Sequence, residues 1–356
     1  MYNERLLPWF KEEDTADALF LKKRPNVRWA SGFQGADSYV LMTPNGGFLL
    51  TDPRYTEQAS IEAPDFTVLN WRDAGGSVMK AVARILKEQK LHSLAFESDV
   101  LSYGEYSALR QETDAELVPT QNVVEKLRSV KTPQEIEYIR AACDIACRAF
   151  YRIIKDIRVG VTEKELAAKL SSYMVFEGAD TQPYGNILIS GPNTSLLHGI
   201  PSDRALQYGD FVLMDYGCQF NGYMSDMTRT VVVGKANDRQ KEVYALEKRM
   251  IEDSLAVMKT GAKGGDIYAA SIQAIQDTPY FQYHYGGIGH GIGLFVHELP
   301  FIRKDAPDVY EDNIVTTIEP GLYIPGWGGV RIEDQVIIKD GGYENLITVP
   351  HELMEI

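Results

Sequence analysis

Two pairs of acidic residues, each flanking a strong turn sequence, constrain the fold of this chain more than any other feature. Asp215 and Asp226 are eleven positions apart, so on one continuous strand their side chains would face opposite ways. Asn221-Gly222 lies between them and favours a type I′ hairpin turn, in which both residues tolerate positive φ. In an ideal two-residue hairpin, Gly217 lies opposite Asp226, and Asp215 stands on the same face, diagonal to Asp226. Both carboxylates are therefore predicted to enter one cavity.

The second acidic pair repeats this arrangement. Glu319 and Glu333 are fourteen positions apart and flank the turn-rich residues 325–329 (Pro-Gly-Trp-Gly-Gly), so the chain is predicted to reverse once between them. His290 lies in residues 289–293 (Gly-His-Gly-Ile-Gly), whose glycines let the backbone pass close to a site. Alone, each of these acidic residues would be interpreted as a solvated or capping side chain, but their joint occurrence predicts a metal site.

The predicted ligand set contains four carboxylates and one imidazole. Such a set favours Mn, Co, Fe or Zn over a thiolate-type structural zinc, and two cations would suit bridging carboxylates. We therefore expect two divalent cations, with Mn or Co as the first choice.

Several segments around these residues resemble the pita-bread metallopeptidases and, within that family, the Xaa-Pro peptidases, which are aminopeptidase P and prolidase. The N-terminal part is similar to the creatinase-type N-terminal domain, so the resemblance covers nearly the whole chain. It implies an α/β (α+β) fold. A smaller creatinase-like α/β N-terminal domain would precede a C-terminal pita-bread domain, built from two pseudo-two-fold halves of helices and antiparallel strands. The matching segments are residues 25–33, 50–55, 214–217, 222–230, 289–298, 317–321 and 329–334.

The resemblance also implies a role for each candidate ligand. Asp215 would chelate one cation, and His290 and Glu319 would bind the other. Asp226 and Glu333 would bridge the two. Glu319 would in addition be the general base for a hydroxide shared between the cations, which also polarise the scissile carbonyl. The implied activity is a dinuclear metal-dependent exopeptidase that cleaves the Xaa-Pro bond at the N-terminus of peptides or in dipeptides.

Three further histidines fall at positions that match the family. His198 would line the substrate site and take part in catalysis, while His284 and His297 would bind the peptide or stabilise the tetrahedral intermediate. The alternative for each is a buried histidine bound to a backbone carbonyl. Leu197 departs from the family, which often has proline at this position, and it restores an amide donor beside His198.

Arg331 lies two residues before Glu333 and thus on the same strand face. It would orient a carboxylate ligand or bind the substrate, or it would simply neutralise the acidic cluster. His92 and His351 receive no role, because no second histidine follows His351 at the helical spacing of a zinc motif. We interpret His351 as a surface residue.

Helix-capping signals suggest where the domains meet. A length of 356 residues exceeds what one core usually supports. Residues 132–135 (Thr-Pro-Gln-Glu) form a capping box with proline at the first helical position, which predicts a helix from there to about Ile154. We assign residues 1–125 to the N-terminal domain and residues 126–356 to the catalytic domain.

Other elements are predicted from local patterns in each domain. In the first, strands at residues 39–43 and 47–51 flank a turn, and a helix at residues 77–89 follows. In the second, another capping box at residues 162–165 starts a helix that ends near Gly178. A further helix is predicted from about Lys241 to Gly261.

Composition argues against several classes of partner. The net charge of −14 disfavours nucleic acid, which would demand a basic face. No apolar stretch approaches a bilayer span and the N-terminus has no signal-peptide core, so we expect a cytoplasmic protein that does not bind membranes. Three cysteines form no disulfide framework; Cys143 and Cys147 would share a buried helix face.

The expected partners are small peptides with proline in the second position and a second copy of the chain. The resemblance implies a homodimer, in which residues 52–55 (Asp-Pro-Arg-Tyr) would narrow the neighbour's site.

Other functions remain open at this stage. One is a metal-free C–N hydrolase like creatinase, which has no use for a complete ligand set. Another is a non-enzymatic binding protein on the same fold, in which ligands would normally have been replaced. Methionine aminopeptidase shares the ligand pattern, but the extra N-terminal domain and His284 favour activity directed at proline.

Overall fold

The computed structural model of the protein describes residues 4–12, 15–181 and 185–356. The chain forms two compact units, Met1–Arg128 and Ser129–Ile356. The domain limit predicted between residues 125 and 126 lies slightly earlier, inside the helix Val123–Ser129, and stays a prediction. None of the helices in the described part of the chain combines the length and the apolar character that a bilayer crossing requires.

The first unit is built around a six-stranded mixed sheet with the strand order β4-β3-β2-β1-β5-β6. Helix α3 packs its apolar side chains against this sheet, as its cluster with Phe20, Leu41 and Leu94 shows. The predicted hairpin is confirmed, because Thr43 pairs with Gly46 and a two-residue turn joins the strands. The strands are β1 Ala18–Leu21, β2 Tyr39–Thr43, β3 Gly46–Thr51, β4 Phe66–Asn70, β5 Ser93–Glu97 and β6 Glu116–Thr120, and the helices are α1 Arg24–Ser31, α2 Thr56–Glu62, α3 Val78–Gln89, α4 Tyr103–Glu112 and α5 Val123–Ser129.

Two helix pairs and two sets of antiparallel strands alternate in the second unit, which confirms the predicted arrangement of its two halves. The α6–α7 pair precedes a three-stranded sheet, β11-β8-β7, and the α8–α9 pair precedes a five-stranded sheet, β13-β12-β14-β17-β18. The helices are α6 Pro133–Ile153, α7 Glu163–Phe176, α8 Asp238–Ala256 and α9 Gly264–Gln273. The strands are β7 Ile187–Ser190, β8 Phe211–Tyr216, β9 Gln219–Phe220, β10 Tyr223–Met224, β11 Met227–Val232, β12 Gly287–Gly291, β13 Glu298–Arg303, β14 Val315–Ile318, β15 Gly321–Ile324, β16 Gly328–Arg331, β17 Asp334–Lys339 and β18 Gly342–Asn345.

Reciprocal capping boxes start helices α6 and α7 as the sequence predicts. In α6, Thr132 accepts a hydrogen bond from the Glu135 amide while the Glu135 carboxylate accepts one from the Thr132 amide. Thr162 and Glu165 repeat the pattern in α7. Cys143 is buried on α6 together with the residue one turn later, Cys147, so the predicted packing role is confirmed.

Helix α8 differs from its predicted bounds at both ends. It begins at Asp238 rather than Lys241, because the Asn237 side chain and Gln240 form a third capping box. It ends at Ala256 rather than Gly261. The amides of Val257 and Met258 bond three residues back, to Ser254 and Leu255, so the last turn tightens and the α-helix stops.

Candidate metal centre

The first acidic pair lies on the hairpin that the sequence predicts. Asn221 and Gly222 adopt φ values of 47° and 82°, which satisfies the type I′ turn. The flanking strands keep one register throughout. Phe220 pairs with Tyr223 next to the turn, and Asp215 pairs with Thr228 farther from it. In this register Asp226 lies opposite Gly217, two residues from Asp215, so the prediction that both aspartates share a face is confirmed.

The second acidic pair flanks the hairpin β15–β16, in which Gly321 pairs with Arg331 and Ile324 with Gly328. Beyond these strands, the two glutamates join neighbouring strands. The Glu319 amide donates to the Ile288 carbonyl at 2.8 Å, and the Glu333 amide donates to the Thr228 carbonyl at 3.0 Å. Glu319 thus lies beside the strand that carries His290, and Glu333 lies beside the strand that follows Asp226.

His290 is buried on β12 between two glycines that have no room for a side chain. A Cβ atom on Gly289 would collide with the Thr317 carbonyl oxygen, and one on Gly291 would collide with the Leu299 carbonyl oxygen. The predicted reason for these glycines, close passage of the backbone, is therefore confirmed.

The ring of His290 is oriented for ligation. Nδ1 lies 3.1 Å from the Gly291 carbonyl oxygen, and because a carbonyl only accepts, Nδ1 carries the proton. Nε2 then faces two carboxylates, at 3.2 Å from Glu319 Oε1 and 3.8 Å from Asp226 Oδ2. Metal-binding histidines usually donate their other ring nitrogen to a carbonyl or carboxylate in this way.

Asp226, His290 and Glu333 offer ligand atoms that all lie within 4.8 Å of one another, and all three residues are buried. Glu333 Oε2 accepts a hydrogen bond from Thr228 Oγ1 at 2.7 Å. Glu333 Oε1 is also buried, yet it has no hydrogen-bond partner among the described residues. An acceptor that is buried without a donor costs free energy, and a cation would satisfy it. Oxygen and imidazole donors in this arrangement fit a divalent cation.

The pKa shifts of these residues also favour a cation at this position. Burial raises the pKa of Glu333 well above its usual value, and the nearby carboxylates of Asp226 and Glu319 add to the effect. Burial also raises the pKa of Asp215, although Arg331 opposes it. Burial opposes the charged form of His290, but the hydrogen bond and charge of Glu319 raise its pKa to about 9. The burial of these neighbouring carboxylates therefore favours a positive charge, from a cation or from protons, that offsets their own charge.

Glu319 is less enclosed than the other candidate ligands, with 23% of its side chain exposed. Burial raises its pKa, but the hydrogen bond and charge of His290 outweigh burial and lower it. Thr317 Oγ1 also donates to Glu319 Oε1 at 3.4 Å. Glu319 is thus a partly accessible carboxylate at the edge of the cluster.

Arg331 forms an ion pair with Asp215, and both residues line a cavity next to the cluster. Its NH1 donates to the Tyr323 hydroxyl at 2.7 Å, and its Nε donates to Thr228 Oγ1 at 3.1 Å. Several roles were considered for Arg331. The direct ion pair with Asp215 favours the one in which Arg331 orients a candidate ligand.

A cavity of about 560 Å³ opens onto this cluster. His198, His297 and Leu197 line it, while the predicted roles of the two histidines toward a substrate stay predictions. The rings of His290 and His297 meet edge to face with centroids 4.5 Å apart. Burial and the neighbouring His290 lower the pKa of His297, which favours its neutral form. A volume of this size is ordinary for a small-ligand site, for which about 300–1,000 Å³ is typical.

His284 is not brought into the cavity lining, although the next residue, Tyr285, is. Its Nδ1 donates to the Phe281 carbonyl at 2.5 Å, so its Nε2 accepts from the Tyr268 hydroxyl at 2.9 Å. Both ring nitrogens are therefore engaged within the protein. The predicted role of His284 in peptide binding stays a prediction.

The prediction for His351 was wrong. This residue is not at the surface: its side chain is only 16% exposed, and Nε2 lies 2.7 Å from a carboxylate oxygen of Asp334. Sequence reasoning considered only a zinc motif within a helix, whereas the partner of His351 lies seventeen residues earlier on strand β17.

Among the polar and charged residues that line the cavity, three were not predicted: Tyr285, Arg303 and Tyr323. Tyr323 is on β15, so the alternation of that strand after Glu319 was a usable signal. Tyr285 and Arg303 reach the cavity from a loop and from the end of β13. No local pattern in the sequence marks these two residues.

Both units match families of known proteins. A model of metallopeptidase family M24 matches residues 137–340, and a model of the creatinase/prolidase N-terminal domain matches residues 4–130. The chain is 32% identical over 352 residues to an Xaa-Pro dipeptidase of Pyrococcus furiosus, a match that covers 97% of each chain.

Solved structures agree with these matches. The Xaa-Pro dipeptidase from Bacillus anthracis is 37% identical, with a TM-score of 0.94, and the match covers 99% of this chain and 98% of that one. The X-Pro aminopeptidase from Thermotoga maritima is 33% identical, with a TM-score of 0.89, and the match covers 96% and 98%. The likeness therefore includes the unit that carries the candidate metal cluster.

Proposed function

The chain belongs to metallopeptidase family M24 and is a metal-dependent Xaa-Pro peptidase, and from this membership we propose that its preferred substrates are Xaa-Pro dipeptides. The observation that carries the proposal is the buried cluster of Asp226, His290 and Glu333, two of which, Asp226 and His290, line a cavity of small-ligand size. We propose two divalent cations there, with Mn as the first choice over Co, Zn or Fe. Asp215 and Glu319 would complete the ligand set.

When bound, the cations would polarise the scissile carbonyl and acidify the attacking water. Glu319 has the position of a general base, since its carboxylate is partly exposed at the cluster and lines the cavity. It would take a proton from the water and deliver it to the departing proline nitrogen. His198 and His297 line the same cavity and would donate hydrogen bonds to the substrate carbonyl.

Arg303 supports the preference for dipeptides. It lines the cavity from the end of β13 and is exposed. None of the carboxylates in the described part of the chain forms an ion pair with it, so its charge is available to a ligand. In an Xaa-Pro dipeptide the free carboxylate belongs to the proline itself, close to the scissile bond. An arginine on the cavity wall is well suited to receive it.

We predict that Arg303→Ala raises KM for an Xaa-Pro dipeptide by about 10-fold to 100-fold, because a hydrogen bond to a charged group contributes about 1.5–3 kcal/mol. Hydrolysis of the corresponding Xaa-Pro amide, which has no carboxylate, should change little. The measurement is steady-state kinetics on both substrates. Lys304→Ala is the matched control, since Lys304 is the next residue, is exposed and is not part of the lining. An equal loss on the dipeptide and the amide would contradict this role.

The proposed function is tested by removing and restoring the metal. The protein is treated with a chelator, supplied with Mn²⁺ or Co²⁺, and assayed with an Xaa-Pro dipeptide and an Xaa-Pro-Yaa tripeptide. Cleavage of the dipeptide alone supports a dipeptidase, and cleavage of the tripeptide supports an aminopeptidase. No cleavage of either with any metal would favour a creatinase-like hydrolase or a binding protein.

We also propose, from the resemblance, a cytoplasmic homodimer. In the first unit, the Arg54 guanidinium is 62% exposed while it pairs with buried Asp52, so residues 52–55 present a fixed cation to a second copy of the chain. Light scattering of the purified protein tests this: a monomer at working concentrations would exclude the dimer.

A further inference from the structure

An enclosed ion pair lies directly behind the metal cluster. Arg229, on β11, and Asp334, the first residue of β17, are joined by a 2.7 Å bond from NH2 to Oδ1. Their side chains are 2% and 0% exposed. Charges removed from water to this degree are retained only when their remaining hydrogen bonds are satisfied. Where those bonds go shows what the pair holds in place.

Arg229 distributes its donors over two parts of the chain. NH1 donates to the backbone carbonyl of Glu333 at 2.6 Å and to its own neighbour, the Thr228 carbonyl, at 2.9 Å. Nε donates to the Pro350 carbonyl at 3.1 Å, and NH2 donates to the Val349 carbonyl at 2.5 Å. One guanidinium therefore ties the backbone of a candidate metal ligand to a segment near residue 350.

Asp334 makes the same connection through its second oxygen. Oδ2 accepts a hydrogen bond from Asn345 Nδ2 at 2.5 Å and another from His351 Nε2 at 2.7 Å. Because a carboxylate only accepts, Nε2 of His351 is the donor. His351 and Asn345 thus fix the carboxylate that in turn fixes the Arg229 guanidinium.

Thr228 also holds Glu333 in place. The Glu333 amide donates to the Thr228 carbonyl at 3.0 Å, and Thr228 Oγ1 donates to Glu333 Oε2 at 2.7 Å. The backbone carbonyl of Glu333 is the remaining point of attachment, and Arg229 occupies it. The direction of the Glu333 side chain into the cluster therefore depends on Arg229 as well as on the strand pairing.

We infer that Arg229, Asp334 and His351 position Glu333, so that residues 345–351 control the affinity of the site for its divalent cations. The inference rests on the proposed function, because it takes Glu333 as a metal ligand. His351 does not touch the cluster and is a positioning residue, which acts through Asp334 and Arg229. Residues that orient metal ligands from behind typically change metal affinity or activity by about 10-fold to 100-fold when they are replaced.

The test is calorimetric titration of chelator-treated protein with Mn²⁺ alone, using the full chain. We expect His351→Ala to raise the Kd for Mn²⁺ by about 10-fold or more. His351→Gln keeps an Nε2 donor that can reach Asp334, and should restore the affinity to within about threefold of the wild-type value, which is within ordinary context effects. His92→Ala is the matched control, because His92 is exposed in the first unit, and it should bind Mn²⁺ as the wild type does.

Thermal unfolding of the metal-free variants separates positioning from general stability. A structural role alone would lower the melting temperature of metal-free His351→Ala and leave the Kd unchanged, and this result would overturn the inference. So would a glutamine variant that binds Mn²⁺ as weakly as the alanine variant while folding normally. Should His351→Ala not fold, Asn345→Ala removes the other donor to the same oxygen, and wild-type Mn²⁺ affinity in that variant would overturn the inference.

Failure of the proposed function has a different signature. If the wild-type protein itself took up no Mn²⁺, Co²⁺ or Zn²⁺, the metal site would be wrong and the inference would fall with it. Wild-type binding together with unchanged binding in the folded His351→Ala and Asn345→Ala variants would overturn only the positioning role.

Discussion

Asp226→Ala is expected to reduce hydrolysis of an Xaa-Pro dipeptide by more than about 100-fold, because replacing a residue that merely orients a ligand already costs about 10-fold to 100-fold. Asp226 is buried, and one of its carboxylate oxygens lies within 4.8 Å of potential ligand atoms of both His290 and Glu333. In the proposed site it holds both cations. Its loss would therefore remove the charge that keeps them together and the geometry of the nucleophile at once.

The backbone at this position should survive the change. The Asp226 amide donates to Gln335 Oε1 at 2.9 Å, a bond that alanine retains. The measurement combines turnover with the metal content of the dialysed protein. Asp277→Ala, at an exposed aspartate in the same unit, is the control. Near-normal turnover of Asp226→Ala with a full complement of bound metal would exclude the dinuclear mechanism.

Glu319→Gln is expected to lower kcat by about 10²-fold to 10⁴-fold, the usual contribution of a general acid or base. Glutamine is nearly the same size and keeps one oxygen toward His290, whose Nε2 lies 3.2 Å from Oε1. It cannot take up a proton from water at neutral pH. The effect should therefore fall on kcat, while KM changes much less.

Comparing metal content distinguishes the two possible tasks of Glu319. If Glu319→Gln retains its metal and loses turnover, the carboxylate acts as the base. If it loses metal as completely as Asp226→Ala does, ligation explains the defect and the role of base is not supported. Glu311→Gln, at an exposed glutamate in the same unit, controls for the loss of one charge. Turnover within a few-fold of the wild type would rule out Glu319 as the base.

Elements that are decided by neighbouring residues could be predicted from the sequence. The turn at Asn221-Gly222 is one example, because positive φ at both positions is a property of those two residues and fixes the hairpin register. The start of α6 is another, since Thr132 and Glu135 satisfy each other's amides within one turn. The start of α8 was missed although its signal is equally local, because asparagine and glutamine at positions 237 and 240 were not considered as a capping box.

Contacts between distant strands could not be predicted in the same way. Arg303 lines the cavity from β13, which pairs with β12 through two irregularities in register that no spacing in the sequence encodes. His351 was assigned to the surface because its partner, Asp334, belongs to another strand. The second acidic pair was placed together correctly, but its attachment to the Asp226 hairpin through Thr228 is a tertiary contact that hydrophobic pattern does not reveal.

The spread of the candidate ligands along the chain has a consequence for protein synthesis. The first, Asp215, lies in the hairpin of one half of the second unit, and the last, Glu333, follows the hairpin β15–β16 of the other half. The supports of Glu333 extend to His351. Domains fold as units during translation, and a metal site seldom exists before its domain has folded. A nascent chain that has not yet delivered these last residues therefore lacks the complete centre. With the proposed ligand set, we therefore expect peptide hydrolysis only from chains that have been translated beyond Glu333.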